Sequence, residues 1–293
     1  MIKKIMAAAL SSVLFMTLLA GCQNNGEDSQ AKSSQTVKLA YVNWSEGIAM
    51  TNLAAAVLED KMGYTVELTM ADAAPVFTSL SSGNTDAFLD VWLPVTHKDY
   101  LDKYGENIVD LGISYENARL GLVVPSYVEI NSIEELNAHK DLFDGEIIGI
   151  DAGAGIMQAA ENAIPEYELD YKILTGSGPT MTAALGKAID KQEPIVVTGW
   201  APHWMFAKWD LKILEDPKNV FGESENIHKY ARKNFQEDSP EAAEFLSRFK
   251  LTETELGDLM GAIEEDSREP LEVAREWAKN HEDLIQSWLP ENQ

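Results

Sequence analysis

Three tryptophans stand where short apolar runs come to an end. Trp44 follows Val37-Lys38-Leu39-Ala40-Tyr41-Val42, Trp92 closes Ala87-Phe88-Leu89-Asp90-Val91, and Trp200 closes Ile195-Val196-Val197-Thr198-Gly199. Trp92 and Trp200 are each followed by x-Pro, and His97 comes close behind the first of them. An indole face attracts a cation through the ring quadrupole, and quaternary ammonium groups suit it best because they have no conventional hydrogen bond to donate. Three such faces, at roughly 1–2 kcal/mol per desolvated contact, supply about half of the ~8 kcal/mol of a micromolar affinity. The competing reading of any one Trp is core packing. That reading is taken for Trp277 and Trp288, inside the last amphipathic helix, and for Trp204 and Trp209, with Trp204 near the rim.

A second feature complements the first. Asp151-Ala152-Gly153-Ala154-Gly155 is a glycine-rich turn between a strand-like run and a helical stripe. Backbone N–H groups opening a helix point at an anion, and the helix dipole assists. The run lacks the Lys-Ser/Thr ending of a P-loop and the spacing of a dinucleotide fingerprint, so a small carboxylate fits it better than a phosphate. His97 is placed to donate to the same carboxylate. A glycine turn and a lone histidine are each often only structural. Taken with an aromatic cage they describe a zwitterion, an N-trimethylated amino acid.

The elements that must position these residues repeat. From Val37 the order is strand, helix, strand, helix, strand, with Met50, Leu53, Ala54, Val57 and Leu58 forming one helical stripe. A further strand runs over Arg119–Pro125. Glu146–Ile150 restarts the programme, with Ile156, Ala159, Ala160, Ala163 and Ile164 as its stripe, and both halves open their first helix on Gly-Ile. After Pro217 the pattern reads as helical to the end, with Ala242–Phe249, Glu253–Glu264 and Leu271–Trp288 as the helices. Two lobes of βαβ type are expected: 36–122 plus 229–293 as lobe 1 and 123–228 as lobe 2. Crossings near Val123 and around His228 would make a hinge, and hinged lobes close on a ligand between them.

Residues 1–21 read as a signal peptide, with Lys3 and Lys4 before an apolar stretch, ending at Leu19-Ala20-Gly21-Cys22. That ending resembles a bacterial lipobox, which implies lipidation of Cys22 and anchoring at the extracytoplasmic face of a cell membrane. Residues 22–35 read as a flexible tether. Cys22 is the single cysteine, which leaves no thiolate metal site, disulfide or cysteine nucleophile. The 48 acidic residues outnumber 23 basic ones, and no basic stripe appears, so nucleic acid is not an expected partner. No cofactor and no metal site is expected: His203 and His228 lack partners at ligand spacing. An enzyme is the main alternative class. Asp86 and Asp90 on one strand lie about 13 Å apart, too far for the usual glycosidase separations. Ser177 lacks a full nucleophile-elbow pattern.

The motifs Tyr41-Val42-Asn43-Trp44, Trp92-Leu93-Pro94-Val95-Thr96-His97-Lys98, Ile148-Gly149-Ile150-Asp151-Ala152-Gly153-Ala154-Gly155-Ile156-Met157 and Thr198-Gly199-Trp200-Ala201-Pro202-His203-Trp204 carry a resemblance. The chain from residue 36 onward resembles the glycine betaine-binding proteins of osmoprotectant ABC transporters. The resemblance implies an α/β, two-lobed periplasmic-binding-protein-like fold of type II, each lobe a βα sheet domain, joined by a hinge of two crossovers. It also implies that Trp44, Trp92 and Trp200 box the trimethylammonium group. The carboxylate would be held by the backbone N–H groups of Gly155 and Ile156 and by His97. The implied partners are a betaine ligand and a membrane permease whose ATPase subunits drive uptake. Ser45 and Glu46 after Trp44, and Ala152 and Ala154 in the turn, depart from the family pattern and leave the preference among glycine betaine, proline betaine, carnitine and choline open. A cell-surface hydrolase is the remaining alternative.

Overall fold

The computed structural model describes residues 35–291. The signal peptide, Cys22 and most of the tether lie outside the described residues.

One mixed sheet organises the chain. Its strands are β1 (Thr36–Tyr41), β2 (Thr65–Met70), β3 (Ala87–Leu93), β4 (Ile108–Pro125), β5 (Glu146–Ile148), β6 (Lys172–Leu174), β7 (Val197–Ala201), β8 (Leu211–Ile213) and β9 (Glu225–Arg232). They run in the order β2-β1-β3-β9-β4-β7-β5-β6, with β8 paired to β4 off this path. The β2-β1-β3 group is parallel, as is β7-β5-β6, and antiparallel β9 and β4 join the two groups. Strand β4 takes part in both halves: it pairs with β9 as far as Ala118 and with β7 from Arg119.

The helices follow the strands. In chain order they are α1 (Ser45–Asp60), α2 (Ala73–Ser81), α3 (Lys98–Tyr104), α4 (Gly155–Glu166), α5 (Gly178–Lys191), α6 (Met205–Lys208), α7 (Phe235–Asp238), α8 (Pro240–Arg248), α9 (Glu253–Glu265), α10 (Pro270–Asn280) and α11 (Glu282–Trp288). Helix α1 is buried on nearly every side from Ala49 to Leu58, because the sheet covers one flank and α9 and α10 the other. An apolar helix needs such a two-sided setting. The late helices therefore return to the half of the sheet where the chain began.

Two expectations fail. The stretch after Pro217 is not helical throughout, since β9 is a central strand between β3 and β4. Lys229 hides it: an ammonium at the middle of Glu225–Arg232 breaks the apolar alternation, yet the side chain is fully buried. Its Nζ donates to the carbonyls of Ile113, Ser247 and Phe249, so the charge is solvated by backbone. The helix expected over Leu271–Trp288 is two, α10 and α11, interrupted at His281, whose ring stacks on Trp277 at 3.7 Å. Trp277 and Trp288 are buried in packing, as expected. Among the described residues no helix is long and apolar enough to cross a membrane.

Candidate functional site

The carboxyl ends of the parallel strands meet at one small cavity. Trp44, Trp92, His97, Gly155, Ile156 and Trp200, the six residues singled out in the sequence, all line it. The free space between the lining atoms, open solvent at its mouth included, is about 260 Å³.

Each aromatic wall is set by its element. Parallel strands β1 and β3 are neighbours, so the residues at their ends are neighbours too. Trp44 is the extended residue that caps α1 after β1, and Trp92 is the penultimate residue of β3. Trp200 comes from the other half, near the end of β7. The three indoles are 5%, 2% and 3% exposed, which is the desolvated state in which a cation–π contact is strongest. The x-Pro bonds just after Trp92 and Trp200, Leu93–Pro94 and Ala201–Pro202, are both cis.

The indole nitrogens reveal partners that sequence reasoning did not assign. Trp200 Nε1–H donates to Glu46 Oε2 at 2.7 Å, a bond between β7 and the first turn of α1. Trp92 Nε1–H donates to Asp90 Oδ1 at 2.8 Å. Trp44 Nε1 and Asp151 Oδ2 each lack a partner of hydrogen-bonding geometry, although the indole sits near enough to oppose the upward push of burial on that carboxyl. No spacing in the sequence could have found the Glu46 pair, because 154 positions separate the partners. Asp86, weighed with Asp90 for catalysis, is elsewhere: it binds Arg232 and the Lys38 N–H.

His97 is fully buried. Its Nδ1 accepts the Trp92 backbone N–H at 2.9 Å, which places the proton of the neutral ring on Nε2. Nε2 has no partner, although the ring lines the cavity. Burial pushes His97 down to about 3, so the ring stays neutral and keeps this donor at every physiological pH. The loop that carries His97 is held by Glu225, which accepts from the Val95 and Thr96 N–H groups and the Thr96 hydroxyl.

Opposite His97, α4 begins at Gly155. Ala154 caps it without a side-chain acceptor, and the first N–H groups of a helix have no carbonyl within it to bond. The glycine is obligatory for a local reason: a Cβ there would lie 2.3 Å from the Thr96 carbonyl oxygen. Tyr100 Oη–H donates to the Gly153 carbonyl at 3.0 Å, a second tie between the same two segments. The cavity is thus lined by three indoles, by the first turn of α4 and by the His97 imidazole, whose ring stacks on Trp44 with centroids 5.9 Å apart. Trp204 and Trp209 lie outside it, along a wider open groove beside Trp200 and Lys208. No group of metal-ligating side chains occurs among the described residues.

Comparison with known proteins identifies the family and the fold. The family model described as the substrate binding domain of the ABC-type glycine betaine transport system matches residues 35–280. A glycine betaine/carnitine transport binding protein of Listeria monocytogenes, GbuC, is 47% identical over 158 residues, 52% of this chain. The match spans about half the length of that relative, 52%. The crystal structure of the glycine betaine, L-proline ABC transporter binding protein ProX from Borrelia burgdorferi is similar at a TM-score of 0.85 and 35% identity, covering 88% of this chain and 98% of that one. Lactococcal OpuAC, in its closed-liganded conformation complexed with glycine betaine, is similar at a TM-score of 0.82 and 38% identity over 88% and 100%. The fold is thus the mixed α/β architecture of the type II periplasmic binding proteins. The matched family is one of transporter components rather than enzymes. With a matching family model from residue 35 to residue 280, this chain belongs to the substrate-binding domains of ABC-type glycine betaine transport systems.

Proposed function

We propose that this chain captures glycine betaine, or a closely related trimethylammonium zwitterion, between two lobes and delivers it to an ABC permease. One observation carries the reading: a buried cavity lined by three indoles and by a neutral His97 whose Nε2 is unpaired. The three indoles take the trimethylammonium group. The Gly155 and Ile156 N–H groups and His97 Nε2–H take the carboxylate. A ligand with only the cation leaves the buried N–H donors unpaired, at about 1–3 kcal/mol each. A carboxylate ligand is therefore favoured over choline by tenfold or more. Carnitine and proline betaine share both ionic ends and differ in bulk.

The lobes are 36–122 plus 229–293 and 123–228. The change of β4 from pairing with β9, as far as Ala118, to pairing with β7, from Arg119, supports a crossing between lobes close to residue 122. Trp44 and Trp92 then come from one lobe, and Trp200 and the Gly155 turn from the other, so closure completes the cage. The protein works outside the cytoplasmic membrane, held there by lipid on Cys22 after removal of residues 1–21, and it meets a permease with ATPase subunits. Acyl labelling of the wild type and of C22A tests the anchor.

Calorimetric titration of the wild type and of W200A with glycine betaine tests the binding reading. Saturable heat in the wild type and a loss of at least tenfold in W200A are expected. Equal affinity in the two proteins removes the cage.

A further inference from the structure

The cage is backed by two carboxyls where neutral acceptors would serve its hydrogen bonds equally well. Glu46, on the first turn of α1, is 1% exposed and lines the cavity. Asp90, on β3, is fully buried and its Oδ2 has no partner. Both pack at the foot of α1: a Cβ built on Gly47 would lie 2.7 Å from Asp90 Oδ2. Burial raises both groups, and the charge of Asp90 raises Glu46 further, which makes them neighbours in the electrostatic sense as well. Two buried carboxyls of like charge are an expensive way to satisfy two indole N–H groups. Gln and Asn present the same carbonyl oxygen at lower cost. What an amide does not supply is negative charge beside the π faces. The positive end of the α1 dipole, at this same foot, favours retaining that charge.

We propose that Glu46 and Asp90 act as one acidic unit that holds a single negative charge behind the cage, fixing the indole planes of Trp200 and Trp92 and favouring a cation between them over a neutral group of the same shape. They are positioning residues, since each reaches the ligand through an indole. This rests on the betaine-binding reading above. Because the charge belongs to the pair, replacing either carboxyl alone leaves the other free to carry it. The effect is therefore strongly non-additive.

The test uses glycine betaine and its carbon isostere 3,3-dimethylbutanoate, which keeps the carboxylate and replaces the cationic head by an uncharged tert-butyl group, titrated calorimetrically into the wild type, E46Q, D90N and the double variant E46Q/D90N. The amides keep both acceptors, so indole orientation is preserved. The wild type is expected to prefer the betaine, each single variant to keep most of that preference, and the double variant to lose about tenfold or more of it. Affinity for the isostere should stay near wild type. A double variant with the wild-type preference reduces the pair to hydrogen-bond acceptors and overturns the proposal. So do single variants that each lose the preference in full, since they deny a shared charge. Should the double variant fail to fold, E46Q and D90N are titrated at pH 8 and pH 6: a betaine preference that falls at pH 6, as the one remaining carboxyl takes up a proton, supports the charge, and a preference unchanged with pH overturns it. A wild type that binds neither ligand refutes the betaine reading instead.

Discussion

Substituting Gly155 by alanine tests how the two halves of the site meet. A Cβ at this position falls 2.3 Å from the Thr96 carbonyl oxygen and 2.5 Å from Thr96 Cγ2. The first partner is backbone and has no rotamer to escape into. Glu225 pins the same loop through the Val95 and Thr96 N–H groups. The two segments must therefore separate by about an ångström to reach an ordinary contact, and His97, the next residue, moves with them. Overpacking of this kind costs roughly 1–3 kcal/mol, a fall in affinity of about 5- to 150-fold. Thr96 and Gly155 sit on opposite halves of the proposed cleft, so an open, ligand-free protein relieves the clash. G155A is therefore expected to melt within about 2 °C of the wild type without ligand and to show a much smaller thermal shift with glycine betaine. Calorimetry supplies the affinities. Wild-type affinity in G155A refutes the close approach as a feature of the bound state. An equal loss of stability with and without ligand makes it ordinary core packing.

Further outcomes follow from the same contacts. H97L removes the Nε2–H donor and should weaken glycine betaine by about 10- to 100-fold, the worth of a charge-assisted hydrogen bond, while choline binding changes little; a parallel loss for choline contradicts the role given to His97. K229M leaves the carbonyls of Ile113, Ser247 and Phe249 without their donor and should cost about 2–4 kcal/mol in urea unfolding; an unchanged midpoint shows that the ammonium contributes nothing net. Stability against pH separates two opposed effects. His97 and His203 are pushed down to about 3 by burial, so on acidification through about 6.5 the unfolded chain takes up protons that the folded chain refuses, and stability falls. Glu46 and Asp90 are raised by burial, so the folded chain keeps protons that the unfolded carboxyls release above about 4.5, which favours folding at the acid end of that window. E46Q/D90N abolishes the second effect. It should lose stability more steeply than the wild type between pH 6.5 and 5, by up to about 1.4 kcal/mol per pH unit for each uncompensated histidine. Parallel profiles contradict the raised carboxyls.

The parts of the site that the sequence made legible are those fixed by local order. A tryptophan at the end of a strand, and a glycine opening a helix, occupy the rim of a parallel sheet whichever way its halves pack. Trp44, Trp92, Trp200 and Gly155 were readable on that ground, His97 as a donor close behind Trp92, and Ile156 only through the family resemblance; the structure brings all six to one cavity. Contacts across the fold were not readable. The Glu46–Trp200 bond depends on α1 meeting β7, and in the sequence Glu46 looks like an ordinary acidic residue in a first helical turn. Strand β9 escaped because its central Lys229 satisfies its charge with carbonyls from β4 and the end of α8, a tertiary device with no local signature. The unity of β4 was obscured in the same way, because the polar positions Glu116 and Asn117 divide an 18-residue strand that serves both halves of the sheet.

The central claim is that this cavity recognises a trimethylammonium group and a carboxylate together. Titrating intrinsic tryptophan fluorescence with glycine betaine, choline and carnitine in parallel tests it most directly, because the three wall indoles are the reporters. A saturable change with glycine betaine, and a midpoint for choline at least tenfold higher, is the predicted result. A response to choline as strong as the response to glycine betaine would contradict the carboxylate half, and no response to any of the three would contradict the cage itself.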